Sequence, residues 1–270
     1  MQDFDGQDGR QTLRACGEGP LVVFVHGTPS SSHEFRGVMA ALPDHRCLAL
    51  DHLGFGGSDK PPAADYSVTA HQRRFSHAMD ALAVDDAVFV LHDFGASIAA
   101  PWLLANPERV RGIVLANTFL WPATGLITWI LRFYATRLGR WLYRVANVSL
   151  RVLMPASWGT HRPLTPALRA EYLAPFPHPD DRHALSALPG ELIGETLAGL
   201  SSRAAELGQW PIRAVWGMKD PAVGRAELAR WRALLPDLQV DEVARAGHFV
   251  ADEAPDRVAA AVRALTPSSS

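Results

Sequence analysis

The stretch VFVLHDFGASIA, Val88 to Ala99, reads as the end of a buried strand, a tight turn and the first turns of a helix. Its hydrophobic run stops at His92-Asp93, and Gly95 gives the backbone room to reverse. A carboxylate driven out of the end of a buried strand is costly unless the site uses it. The segment therefore predicts a strand–elbow–helix unit with Asp93 at the elbow.

The same alternation extends in both directions. Strands are predicted at 10–17, 21–27, 46–51, 87–93, 110–117, 212–217 and 238–244, and helices at 32–42, 69–84, 95–106, 224–235 and 253–265. LVVFVHG (21–27) is a continuous β-branched run, the mark of a strand covered on both faces. Ser31 with Glu34, and Thr69 with Gln72, have capping-box spacing at two helix starts. Such alternation specifies an α/β fold with a mostly parallel sheet flanked by helices. The 270 residues, 48% of them hydrophobic, suffice to bury roughly three quarters of the unfolded surface. One main domain, 1–120 with 208–270, is expected. Residues 121–207 break the rhythm: aromatic, punctuated by proline and helical in pattern, they read as a cap inserted over the strand ends.

Charge and motifs narrow the function. The net charge of −2 gives no reason to expect nucleic acid. GFGGSD lacks the third glycine of a dinucleotide fingerprint, and no phosphate loop is present. HPDDRH (178–183) reads as a solvated turn rather than a metal site, so no metal and no cofactor beyond water are implied. Cys16 and Cys47 are expected as small buried thiols in a reducing compartment. The N-terminus has no apolar signal core and no run is long enough to span a membrane, which makes the cytoplasm the default location. The TPSSS tail is expected to fray. From Arg109 through Ala170 there is no Asp or Glu but nine arginines. The plain reading of LITWILRFYATRLGRWLYRVANVSLRVLM is a cap helix with a core-facing apolar stripe and a solvated basic face. Docking on an anionic membrane or an acidic partner, and steering of an anionic substrate, are the alternatives.

Ligands bind at the carboxyl ends of parallel strands. Asp93, Asp220 and His248 each follow such a strand. Taken singly they are, in order, a helix cap, a turn residue before proline and a loop histidine. Together they have the chain order of hydrolases with a nucleophile elbow. A serine attacking saturated carbon would form an ether that water does not easily cleave. A carboxylate forms an ester, which activated water hydrolyses. Asp93 is thus the candidate nucleophile, His248 the base for water, and Asp220 the residue that orients the imidazole. The backbone N–H groups of Thr28 and Phe94 are the expected oxyanion hole. Ser97, in GASIA, falls a turn too late to attack. Asp51 reads as a turn anchor.

HGTPSSSHEFR (26–36), DHLGFGGSDKP (51–61), HDFG (92–95), NPERVRGIVLANTFLWP (106–122), WGMKDPA (216–222) and GHFVADEAPDRV (247–258) together resemble the haloalkane dehalogenases. Within that family the likeness is to the branch whose triad acid follows the late strand. The resemblance implies the α/β-hydrolase fold with a helical cap, and the Asp93–His248–Asp220 triad. Asn117-Thr118, where other branches keep their acid, carries no carboxylate. Two departures concern the halide. The family usually has tryptophan after the nucleophile and often asparagine after His-Gly; here stand Phe94 and Thr28. Trp121, and less so Trp129 and Trp141, are candidate replacement donors for a halide pocket with Thr28 and Phe94. The resemblance implies a small apolar halogenated substrate. Epoxide hydrolysis is the runner-up, with Tyr134, Tyr143 and Tyr172 as candidate oxygen donors. A non-catalytic ligand receptor that keeps the pocket is the alternative from another class.

Overall fold

The computed structural model describes residues 1–266. Eight strands form one sheet in the order β1-β2-β4-β3-β5-β6-β7-β8. They are β1 (Gln2–Gly6), β2 (Gly9–Cys16), β3 (Leu21–Val25), β4 (Arg46–Leu50), β5 (Ala87–Asp93), β6 (Val110–Thr118), β7 (Ile212–Gly217) and β8 (Gln239–Val243). The pairs β1–β2 and β2–β4 are antiparallel, and every other neighbouring pair is parallel. β5 lies near the middle with all its residues buried, as its unbroken apolar run requires.

Successive side chains on the central strands enter two separate cores, the period-two signature of a sheet covered on both faces. Val23, Val25, Phe89, Leu91 and Leu115 pack on one side, with Phe75 and Ala78 of α2 (Val68–Ala81), Ala96 and Ala99 of α3 (Phe94–Ala105) and Trp231 of the helix Arg225–Leu234. Val22, Phe24, Val88, Val90 and Val114 pack on the other, with Val38 of α1 (Arg36–Ala40) and Val258 of the helix Pro255–Arg263. Each Val, Leu or Phe among them contributes about 1.5–3 kcal/mol on burial.

Between β6 and β7, where the sequence places the cap, the regular structure of the described residues is all helical, joined by irregular stretches such as 158–165. It forms α4 (Ile127–Ala135), α5 (Arg137–Ala146), α6 (Met154–Ser157), α7 (Pro166–Leu173), α8 (His183–Glu191) and α9 (Glu195–Arg203). The C-terminal helices, in chain order, are α10 (Arg225–Leu234), α11 (Val250–Glu253) and α12 (Pro255–Arg263). Among the described residues, no helix is long and apolar enough to cross a membrane.

Several local expectations are corrected. β1 was not anticipated, because Phe4 is the only large apolar residue in an exposed edge strand. Ser31 caps its turn by accepting from His33 N–H, yet Glu34 does not reach back; it is wholly buried and faces His92. α2 is capped by Ser67, which accepts from Ala70 N–H, while Gln72 donates to Ser97 O. Cys16 is exposed, directly opposite the buried Cys47 across the antiparallel β2–β4 pair. Thr266 is buried and lies 2.7 Å from His45 Nε2; the rest of the TPSSS tail lies outside the described residues. The outer stripe of α4 and α5 is exposed rather than core-facing.

Asp51 holds the loops around the strand ends together. Its carboxylate accepts from Ser32 N–H (2.7 Å) and Gly57 N–H (2.8 Å). Asp51→Ala leaves these donors without their acceptor and is expected to cost about 2–4 kcal/mol. A urea titration should show this as a lower midpoint at unchanged slope; an unshifted midpoint would remove the anchor role.

Candidate active site

β5 and α3 meet at Asp93, whose backbone adopts φ 52° and ψ −121°. A non-glycine residue at positive φ is strained, by about 1–3 kcal/mol, and persists only where its surroundings impose it. The surroundings here are two glycines. A Cβ on Gly95 would overlap Val25 O, and one on Gly27 would overlap Asp93 Oδ1. Thr28 N–H donates to Asp93 Oδ1 at 2.8 Å, and Thr118 Oγ1 donates to Asp93 O at 2.6 Å. Phe94 begins α3, so its N–H is one of the helix-start donors without an intrahelical partner.

The other oxygen of Asp93 faces the histidine. His248 Nε2 lies 3.4 Å from Asp93 Oδ2, and His248 Nδ1 lies 2.7 Å from Asp220 Oδ2. Asp220 Oδ1 accepts from Ala222 and Val223 N–H. Burial opposes charge at both Asp220 and His248, and in both it is outweighed. The charge and hydrogen bond of Asp220, then those of Asp93, hold His248 well above the usual imidazole range. For Asp220 the charge and hydrogen bond of His248 and two backbone N–H groups leave the carboxyl below its ordinary value. The imidazole thus lies between two carboxyl groups, and both favour its charged form. Asp93 and His248 keep side-chain exposures of only 8% and 7%, so both are largely removed from water.

Residues 20–255 match the alpha/beta hydrolase fold family. Haloalkane dehalogenase 2 of Mycobacterium tuberculosis is 34% identical over 266 residues, covering 96% of this chain and 92% of that protein. The chain belongs to the haloalkane dehalogenase family. The crystal structure of the haloalkane dehalogenase DatA from Agrobacterium tumefaciens C58 superposes with a TM-score of 0.86 at 27% identity, over 98% of this chain and 95% of that one. A protein of Shewanella oneidensis named cis-3-alkyl-4-alkyloxetan-2-one decarboxylase is 32% identical over 260 residues, covering 90% of this chain and 80% of its own length.

Against this family background the leaving-group side stands out. Phe94 is buried, edge-to-face on Phe119. Thr28 Oγ1 is buried and has no hydrogen-bond partner among the described residues. Trp121 packs on Trp231, with the Arg230 guanidinium 4.4 Å from its ring centroid. Trp129 and Trp141 are exposed on the cap surface, which corrects their candidacy as halide donors. Of the tyrosines, Tyr172 donates to Asp252 at 2.8 Å and is thereby committed elsewhere. Tyr143 is buried, and Ser149 donates to its oxygen at 2.7 Å. Burial, with a smaller contribution from the charge of Asp93, pushes its phenol up to about 12. Ser97 donates to Phe119 O from a fully buried position, so it has no access to a substrate.

Four supports escaped the sequence reading. Asn117 donates to Asp220 Oδ2 (3.0 Å) and accepts from Gly217 N–H (2.7 Å). His92 Nε2 donates to His248 O at 2.9 Å, while its Nδ1 lies 3.0 Å from both oxygens of Glu34. Glu253 Oε1 accepts from Gly159 N–H (3.0 Å) and Gly247 N–H (2.7 Å), tying the His248 loop to the cap. His26 Nδ1–H donates to Gly27 O and its Nε2 accepts from His52 N–H, which fixes its tautomer. Burial pushes His26 down to about 3, so it stays neutral in the loop that carries Thr28.

Removing either carboxylate should lower the His248 pKa, and Asp220→Asn should lower it more than Asp93→Asn. Imidazole titration by NMR checks both; an unmoved value in Asp93→Asn would contradict the two-carboxylate account. Glu253 gives a stability prediction. Burial pushes its folded pKa up to about 7 from the ordinary carboxyl value of 4.5, so the folded state binds the extra proton between these values. Stability should fall as pH rises through that window, by up to about 3 kcal/mol. Glu253→Gln keeps an acceptor oxygen and cannot ionise, so its denaturation midpoint should stay flat where that of the native protein declines.

Proposed function

We propose that this chain hydrolyses small haloalkanes through an ester on Asp93. The observation that supports this best is the division of labour between the two oxygens of one carboxylate. Oδ1 lies on the Thr28 N–H, while Oδ2 points toward His248. Attack by Oδ2 on the carbon bearing the halogen forms the C–O bond as the carbon–halogen bond breaks, and halide leaves with the bonding pair. No proton must move first, so an imidazolium beside Asp93 does not obstruct this step.

The second step needs a neutral imidazole, and the first step helps to supply it. Esterification removes the negative charge of Asp93, one of the causes that keep His248 protonated. The imidazole then sheds its proton more readily and draws one from water, which attacks the ester carbonyl carbon. Oδ1 becomes the oxyanion, on the N–H groups of Thr28 and Phe94. Collapse releases the alcohol and restores the carboxylate. The products are alcohol, halide and one proton, which balances haloalkane plus water. Asp220 keeps the imidazole oriented throughout and offsets its charge.

A second reading keeps Asp93 and changes the leaving group to oxygen. Tyr143 supports it: its oxygen accepts from Ser149, which leaves its own proton free for an opening epoxide. The ring named in the Shewanella relative, an oxetan-2-one, likewise has a saturated carbon bonded to a leaving oxygen.

The decisive test is intact mass of His248→Phe after exposure to a bromoalkane and, separately, to an epoxide. A bromoalkane should add its alkyl group to the peptide bearing Asp93 and release one bromide per chain. An adduct from the epoxide alone would transfer the assignment to the second reading. Adducts from neither would leave a non-catalytic receptor. The leaving-group side has its own test. Thr28→Asn restores an amide donor and should raise chloroalkane kcat/KM by about tenfold or more, given that one such donor is worth about 10²–10³ in rate; unchanged turnover would show that the halide is held elsewhere.

A further inference from the structure

The outward faces of α4 and α5 are both apolar and basic, and they have no cover. Among the described residues, every exposed large hydrophobic except Met1 lies between Leu126 and Leu153. Leu126 is 87% exposed, Trp129 69%, Leu138 60% and Trp141 52%. On α5 the exposed Leu138, Trp141, Leu142 and Val145 follow helical i, i+3, i+4, i+7 spacing, while Gly139 and Tyr143 face inward. An amphipathic stripe of this kind normally seals a core. Here it is turned out, which for a cluster of this size marks an interaction surface rather than the usual scatter of single apolar residues.

The charges identify the partner. Arg132, Arg137, Arg140 and Arg151 are exposed within the same segment. None of them forms a salt bridge among the described residues, and the segment holds no Asp or Glu. The Arg132 guanidinium lies over Trp129, 5.3 Å from the ring centroid, a pairing suited to an interface between apolar and aqueous phases. A two-fold dimer through this face would set arginine against arginine with no carboxylate to neutralise them. A bilayer surface rich in anionic lipid meets both requirements, taking the tryptophans and leucines into its acyl boundary and the guanidinium groups at its phosphates.

We propose that the outer face of α4 and α5 docks the protein peripherally on anionic membranes. The opposite side of α5 faces inward through Gly139 and Tyr143, and the same inserted segment reaches the site through Ser157 O, which accepts from His248 N–H at 2.8 Å. Docking would therefore set the cap between bilayer and active site, and apolar substrates dissolved in lipid would be concentrated beside it.

The test is co-sedimentation of the full chain with phosphatidylcholine vesicles, with and without phosphatidylglycerol, at low and physiological salt. Binding should require the anionic lipid and weaken with salt. Arg137→Glu with Arg140→Glu, and separately Leu138→Ser with Trp141→Ser, should each weaken it by at least about tenfold. Thermal unfolding and turnover of a water-soluble bromoalkane should be unchanged in both variants, which separates a lost surface from a lost fold. Absence of native binding to anionic vesicles at low salt overturns the proposal, as does undiminished binding by both variants. A concentration-dependent dimer that either variant abolishes, without vesicle binding, assigns the face to a second copy instead. Vesicle binding with no ester on Asp93 would leave the surface standing and remove only the reaction.

Discussion

The constraint on which the site depends is the left-handed turn at Asp93. It lets a carboxylate leave the end of a fully buried strand and project beside a helix N-terminus. The strain, about 1–3 kcal/mol, is similar in size to one hydrogen bond to a charged group, about 1.5–3 kcal/mol. The Thr28 N–H supplies such a bond to Oδ1. The bond that offsets the strain is therefore also the one that fixes which oxygen is free to react. Gly27 and Gly95 make the geometry sterically possible, and neither position accommodates a methyl group without displacing its neighbours. Fold and chemistry share this corner so closely that changing it for either purpose disturbs the other.

Around the corner, the electrostatics follow from burial. A histidine removed from water would ordinarily be neutral, and two carboxylates reverse that. Each carboxylate has other bonds as well: Asp220 accepts from Asn117 and two backbone N–H groups, and Asp93 accepts from Thr28. The contacts of Asp220 favour its charged form, and the two neighbouring carboxyl groups favour a charged imidazole while Asp93 is free. On the proposed reaction, the charge of His248 is thus coupled to the covalent state of Asp93. The loop carrying His248 is held on three sides, by His92 on its carbonyl, by Ser157 O, which accepts from its N–H, and by Glu253 on the preceding glycine.

Much of this was legible in the sequence, because strands covered on both faces leave continuous apolar runs. The central strands and the three reactive positions follow from such runs and from what interrupts them. What was not legible depends on partners distant in sequence. Glu34 has capping-box spacing, but His92, 58 residues away, claims its carboxylate. Asn117 and Glu253 are unremarkable until the chain brings Asp220 and Gly247 to them. β1 has too few apolar residues to signal a strand, since an edge strand is stabilised mainly by pairing. The exposed stripe of α5 is the instructive case. Periodicity reveals that a helix has an apolar face and is silent on which way that face points, so a core-facing and a membrane-facing stripe read identically.

The leaving-group side shows how one local departure propagates. With phenylalanine after Asp93, the ring is buried on Phe119 and contributes shape and low polarity but no N–H. With threonine after Gly27, the backbone N–H that Asp93 needs is retained, and the side chain adds a hydroxyl without a partner. A buried polar atom left in this state costs free energy in the resting protein. A ligand atom that accepts a bond from it displaces no protein partner, so the bond is worth more than one exchanged for an existing contact. A large, polarisable leaving group that departs readily needs less of this help than chloride. On the proposed reaction, the missing indole N–H at position 94 would favour leaving groups that need less stabilisation, with the triad untouched.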